Sequence, residues 1–377
     1  MAISSVVLSR SFFVRHGRRF LCSAASKAAA ITLEGADECL ESPKFDAKYR
    51  RKKVALLMGY SGEGFHGMQR NMDMRTIEGE FFKALHKADL AREEECNEPW
   101  KIKFQRASRT DKNVSAAKQV VSLSLCTDPG EVLAQLNTHL PPEIRIFGLR
   151  RATNTFDSQK NCDARTYSYT FPSFALSPVG CEDESFRVTP EMLDKFSKTL
   201  KLYKGFHNFH NFTCDKHFVD PSSNRFIISF ECFEPFGADG MEFIECQVKG
   251  NSFMMHQIRR MVAVAISVVK GMVEPEIINK AYTELRLNLP MAPGLGLILQ
   301  EVHYDKYNKT VKKLGFHEPL TWEAEEEAVA KFKKDFILPT IIDGEKNGKS
   351  MLNWITTLAM HTFEEKVNFE PEKSNQS

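Results

Sequence analysis

Residues 104–126 read FQRASRTDKNVSAAKQVVSLSLC, and two kinds of segment meet inside them. Residues 106–112 are polar, with Arg109, Asp111 and Lys112 crowded together. Residues 119–125 carry the Val and alternating Ser and Leu of a strand. A tight turn tolerates such a polar run, and so does a catalytic loop aimed at something anionic.

Outward from this stretch the pattern is mixed. Residues 54–58 are short and apolar, as a buried strand is, and Gly59, Gly62, Gly64 and Gly67 follow. MRTIEGEFFKALHKADL places Ile77, Phe81, Ala84 and Leu85 at helical spacing, with no capping box at its start. REEECNEPW is a charged break, and KIKFQRAS reads as a strand entering the polar loop. A short helix starts near Pro129, and a strand runs through Ile144 and Ile146. The order strand, helix, strand, strand, helix, strand predicts an α+β domain built on one sheet.

The second half repeats this style. DARTYSYTFPSF puts Tyr167, Tyr169 and Phe171 on one face. A helix starts at Thr189 and Pro190, and two strands flank the turn GADG. SFMMHQIRRMVAVAISVVKGMV is the most apolar helix and carries Arg259 and Arg260. PGLGLILQEVHY closes the pattern as a strand, and beyond about residue 305 the chain is lysine-rich and helical in spacing.

Composition sets the frame. Of 377 residues, 42% are hydrophobic and 27% charged, which is globular, and a net charge of +2 leaves any basic surface to be local. The nine cysteines form no CxxC pair, which argues against a disulfide framework or zinc knuckle and for a reducing compartment. No apolar run is long enough to span a bilayer. Residues 1–30 are Ser-rich and basic, and the first acidic residue is Glu34. That is the composition of a mitochondrial transit peptide; a basic tail that touches RNA or directs nuclear entry is the alternative.

Several residues can carry chemistry. Asp111 beside Arg109 is expected to stay ionised, fit to act as nucleophile, base or ligand, although on spacing alone an exposed ion pair in a turn is the commoner case. Asn113 suits a left-handed turn. Tyr167 and Tyr169 are core by default, unless one ring stacks on a base. Arg259 and Arg260 point about 100° apart, so one of them can reach an internal anion, either Asp111 or a phosphate. His207 and His210 could ligate a metal if helical, but no third ligand stands at motif distance.

Five blocks occur in order: GYSGEGFHGMQR, RASRTDKNVSAAKQVVSL, LPPEIRIFGLRRATNTFDSQKNCDARTYSYTF, GFHNFHNFT and GNSFMMHQIRRMV. Together, over residues 54–304, they resemble the TruA-type tRNA pseudouridine synthases, and most closely their eukaryotic Pus1-like branch. The resemblance implies an α+β fold, two α/β lobes with antiparallel sheets joined across a central basic cleft. Residues 1–50 are then targeting segment and linker, 51–150 the N-terminal catalytic lobe and 151–306 the C-terminal catalytic lobe. Residues 307–377 are a helical extension and tail, expected to join the second lobe and widen its RNA surface.

The implied activity is isomerisation of uridine to pseudouridine in a base flipped out of the RNA. Asp111 matches the family's catalytic aspartate, which attacks C1′ or assists formation of a glycal. Tyr167 matches its active-site tyrosine, to stack on the base and help remove the C5 proton. Arg259 matches its basic residue, to pair with Asp111. Arg109, Lys112, Leu297 and His256 are the expected substrate-binding residues. No metal or organic cofactor is implied. The implied partners are tRNA, with small nuclear and messenger RNA beside it, and no membrane; the implied state is a monomer in the mitochondrion and/or nucleus. Asn113 stands where the family commonly has glycine, and Lys118 where it has a small residue. A catalytically silent RNA-binding protein of the same fold is the competing reading, and a metal-dependent hydrolase using His207 and His210 a weaker third.

Overall fold

The computed structural model describes residues 51–125 and 129–365, so the basic segment read as a targeting sequence lies outside the described residues. The first lobe runs β1 (Lys52–Tyr60), α1 (Ile77–Lys87), α2 (Glu93–Asn97), β2 (Gln105–Arg106), β3 (Ser115–Leu125), α3 (Pro129–His139) and β4 (Ile144–Arg151). The second runs β5 (Ala164–Pro172), α4 (Pro190–Lys201), β6 (Gly205–Asn208), β7 (Asn224–Cys232), β8 (Phe236–Ala238), β9 (Met241–Gly250), α5 (Gln257–Val269), α6 (Glu276–Lys280) and β10 (Leu297–His303). The charged break at 92–100 is partly helical. The strand expected over 101–108 shrinks to the two residues of β2, because residues 99–102 form a 3-10 turn.

One ten-stranded sheet runs in the order β4-β1-β3-β10-β5-β9-β7-β6, with β2 on β3 and β8 on β9. Each half is antiparallel, as expected. The seam is not: β10 lies antiparallel to β5 but parallel to β3, through Ile298 beside Ser115 and Leu299 beside Ala116. β10 returns to the sheet after α5 and α6, and its pairing with β5 dictates its direction. The β3 edge must then accept it parallel. This short seam joins the loop preceding β3 to the second lobe.

Burial follows the strand chemistry. β1 is buried along all but its first residue, as an apolar strand covered on both faces must be. The start of α1 is marked by Thr76, whose side chain accepts from the Gly79 N–H at 3.1 Å, a one-sided cap. α5 is buried from Met261 to Val268, which explains a helix apolar on nearly every side. Among the described residues no helix is long and apolar enough to cross a membrane.

The C-terminal extension is helical: α7 (Asp305–Leu314), α8 (Glu326–Phe332), α9 (Leu338–Lys346) and α10 (Ser350–Leu358). It does not simply join the second lobe. Arg150 of β4 pairs with Glu325 and lies over the Trp322 ring, and Phe147 packs edge-on against Phe332. Lys333 pairs with Glu245 of β9, and Lys346 with Asp239. The extension therefore bridges both lobes. Glu245 also meets Gln300, which bonds Ser168, and successive strand residues face opposite ways. The extension thus covers the face of the sheet opposite Tyr167, rather than widening the Tyr167 side.

Candidate active site

The loop 107–114 is moulded by the glycine-rich loop after β1. The Met68 N–H donates to the Thr110 carbonyl at 3.1 Å, and the Asn113 N–H to the Phe65 carbonyl at 3.3 Å. The buried Tyr60 hydroxyl meets the Thr110 hydroxyl at 2.8 Å. Gly67 has φ +89°, and a Cβ there would lie 2.6 Å from the Thr110 carbonyl oxygen. No other residue fits so close an approach. Asn113 takes the left-handed conformation expected of it, at φ +63°.

Asp111 opens into a cleft of about 430 Å3 between the lobes, within the range of small-ligand sites. Arg109, Tyr167, His256 and Leu297 also line it, so the structure brings these sequence-selected residues together. The Tyr167 hydroxyl is 2.6 Å from the Ser108 hydroxyl, and its ring stands edge-on to Phe253 at 5.4 Å. Tyr167 is thus both core and cleft wall: a buried ring with a hydrogen-bonded tip. Burial pushes its phenol pKa up, against the Ser108 bond.

The expected charge pairs differ. Asp111 does not pair with Arg109, which is exposed at the rim, nor directly with Arg259. Its ion-pair distance is to His256, Nε2 to Oδ2 at 3.7 Å. His256 caps α5 in a left-handed conformation, φ +63°, which turns its ring back toward the loop. Arg259 donates from Nε to the Ala292 carbonyl at 2.7 Å, and Arg260 from Nη1 to the Leu289 carbonyl at 2.6 Å. The segment before β10 thus holds both arginines, and neither lines the cleft. Lys112 is exposed and does not line the cleft. Lys118 faces neither cleft nor open solvent, because it pairs with Glu326 at 2.8 Å and Glu301 at 3.6 Å on the covered face.

His207 and His210 do not converge. His207 stacks on Tyr282 with ring centres 4.2 Å apart, while His210 is buried against Asn208. Residues 210–212 form a single 3-10 turn, not the helix that would align them.

A family model for tRNA pseudouridine synthase matches residues 199–305. The chain is 45% identical over 334 residues to the pseudouridylate synthase 1 homolog of Mus musculus, covering 87% of this chain and 78% of that protein. It is also 45% identical over 315 residues to its Homo sapiens counterpart, covering 82% and 74%. The chain belongs to the TruA-type tRNA pseudouridine synthases, in their Pus1-like branch. A more distant relative, tRNA pseudouridine synthase 1 of Yarrowia lipolytica, is 30% identical over 384 residues, covering 80% and 73%.

In this pseudouridine synthase the cleft also uses residues that sequence reading did not single out. Arg165, two positions before Tyr167, donates from Nε and Nη2 to the Ala107 carbonyl and from Nη1 to the Asn251 carbonyl. It ties the root of the Asp111 loop to the end of β9. Ser108 and Phe253 hold the two ends of Tyr167. The signal for Arg165 was its place beside the tyrosine; Ser108 and Phe253 had none, because their contacts lie 59 and 86 residues away in sequence.

Proposed function

We propose that the Asp111 cleft is where this pseudouridine synthase isomerises uridine in tRNA, with Asp111 as the reacting carboxylate. The supporting observation is the placement of Asp111 and Tyr167 in one cleft, with His256 at 3.7 Å from the carboxylate. A uridine flipped into the cleft presents C1′ to Asp111. The C1′–N1 bond breaks and its electron pair leaves with the uracil; Asp111 bonds C1′ or assists a glycal. The uracil turns, C5 bonds C1′, the C5 proton is lost and N1 gains one, so the sum is an isomerisation. A phenol raised by burial stays protonated, which fits Tyr167 for stacking and hydrogen bonding rather than for taking the C5 proton. Leu297 supplies apolar wall, His256 meets the nucleotide beside Asp111, and the exposed Arg109 and Lys112 are the cations offered to RNA phosphates around the entrance.

The decisive experiment is tritium release from tRNA transcripts carrying [5-³H]uridine, with wild type and Asp111→Ala side by side. Release by wild type alone, with tRNA bound by both proteins, is the expected result. Equal release by the variant overturns the assignment of Asp111; no release by wild type, with tRNA still bound, supports the silent RNA-binding reading. Small nuclear and messenger RNA are proposed as further substrates, because affinity drawn from phosphates carries little sequence preference. A monomer working in the mitochondrion and/or nucleus is proposed from the basic, acid-free composition of residues 1–33 and the family resemblance.

A further inference from the structure

Ser108 stands three residues before Asp111 and lines the same cleft. Its backbone is fastened on both sides. The Ala107 N–H donates to the Val120 carbonyl at 2.9 Å, and the Ala107 carbonyl accepts from Arg165 Nε and Nη2 at 3.2 and 2.6 Å. At Ser108 a side chain takes over from the sheet. The Gln119 carboxamide, 0% exposed, accepts the Ser108 N–H at 3.2 Å and donates to the Ser108 carbonyl at 2.8 Å. Every backbone polar group of residues 107–108 is thus paired, those of Ser108 with one buried amide. Such full pairing fixes the direction in which the Ser108 side chain leaves the loop.

Among the described residues the Ser108 hydroxyl has one partner, the Tyr167 hydroxyl at 2.6 Å. Tyr167 is 6% exposed, and burial keeps its phenol protonated. Ser108 would turn and donate to a phenolate, but the protonated phenol has a proton of its own to place. Ser108 Oγ is the one protein acceptor within its reach. Ser108 is only half-buried and opens on the cleft. The bond therefore runs from phenol to serine, since the reverse leaves the more buried proton unpaired. Ser108 then holds a proton that no protein group accepts, polarised by the phenol behind it.

The chemistry of the cleft supplies the acceptor. When the C1′–N1 bond breaks, an electron pair enters the uracil ring, and its charge spreads onto the two carbonyl oxygens. A hydrogen bond to such an oxygen is stronger in the transition state than in the ground state, so it acts on the rate more than on binding. A donor fixed beforehand at the site of developing charge needs no reorganisation when the charge arrives. The clamped Ser108 backbone and the Tyr167 phenol fix this donor from two directions.

We propose that Ser108 is a further catalytic residue: its hydroxyl, accepting from Tyr167, donates to a carbonyl oxygen of the flipped uracil and stabilises the charge that gathers there. The inference deepens the reading of the cleft as the site of isomerisation and rests on it.

The test follows isomerisation of tRNA transcripts by the full chain, read by chromatography of the digested nucleosides. Transcripts are made with uridine, 2-thiouridine or 4-thiouridine, because a thiocarbonyl accepts hydrogen bonds more weakly than a carbonyl. Ser108→Ala is expected to lower kcat at least about tenfold and to leave KM for tRNA within about twofold. Ser108→Thr keeps a hydroxyl and is expected to retain more of the rate. One of the two thio transcripts is expected to slow wild type but to slow Ser108→Ala no further, since the bond it weakens is already gone. If Ser108→Ala fails to fold in a melting control, Ser108→Cys, similar in shape but a weak donor, carries the same comparison. A full rate in the variant, or both thio transcripts slowing it as much as they slow wild type, overturns the inference. A full rate in the variant leaves the isomerase reading standing, because wild type then turns over uridine transcripts. Wild type that does not turn them over sinks that reading and this inference together.

Discussion

His256 Nε2 lies 3.7 Å from Asp111 Oδ2, while Arg259, three residues further along, gives its Nε–H to the Ala292 carbonyl. The group at ion-pair distance from Asp111 is therefore an imidazole, not a permanent cation.

Burial lowers the His256 pKa, Asp111 opposes this, and Arg259 and Arg260 add to the lowering. At pH 7 the imidazole is therefore neutral, and no imidazolium stands beside the carboxylate. Below the lowered pKa an imidazolium forms and pairs with the carboxylate. Tritium release is expected to fall as pH drops through that pKa, and His256→Gln is expected to lose this acid limb. The same shift favours the neutral ring in the folded state, so its share of stability is lost as pH falls below about 6.5. An unchanged limb in the variant would assign the titration elsewhere.

Gly67 tests the cradle. An alanine there meets the Thr110 carbonyl at 2.6 Å and must adopt φ +89°. Strain of this kind is on the order of 1–3 kcal/mol, and relief moves the Asp111 loop. Gly67→Ala is expected to lower the melting temperature and to cut turnover at least about tenfold, since small misplacements are costly in catalysis. Wild-type turnover would show that the loop is held from elsewhere.

Glu345 gives a stability prediction of definite sign. It is buried, with one hydrogen bond from the Met351 N–H at 2.7 Å, and burial raises its carboxyl pKa to about 7. A raised acid pKa means that the folded state holds the proton longer than the unfolded chain. Stability therefore declines as pH rises from about 4.5 to about 7, by roughly 3 kcal/mol for a shift of this size. Glu345→Gln keeps an acceptor for Met351 and is expected to melt higher than wild type at pH 8, with the difference vanishing near pH 4.5.

Lys118 is expected to be silent toward RNA. Its ammonium is occupied by Glu326 and Glu301 on the covered face of the sheet. Lys118→Ala should leave tRNA affinity and its salt dependence unchanged and lower stability by no more than about 1 kcal/mol. A reduced salt slope would place this lysine on a phosphate after all.

The sequence by itself determined the element types, the family and the cluster of reactive side chains. Those depend on local patterns: alternation in 164–172, helical spacing in 77–87, the left-handed preference of Asn113, and motif blocks read in order. It also put Asp111, Tyr167 and His256 in one site, because the motif blocks carry that information, and placed Leu297 there from the last strand. What the tertiary structure alone decided were partners far apart along the chain. The parallel seam of β10 on β3 links residues 298 and 115. The placing of His256, not Arg259, at 3.7 Å from Asp111 follows from a left-handed cap and from carbonyls at 289 and 292 that claim both arginines. The path of the extension behind both lobes rests on contacts such as Phe147 with Phe332. Side-chain charge and spacing are written in the sequence, but which of several available groups a buried cation reaches depends on distances of a few ångströms that only packing sets.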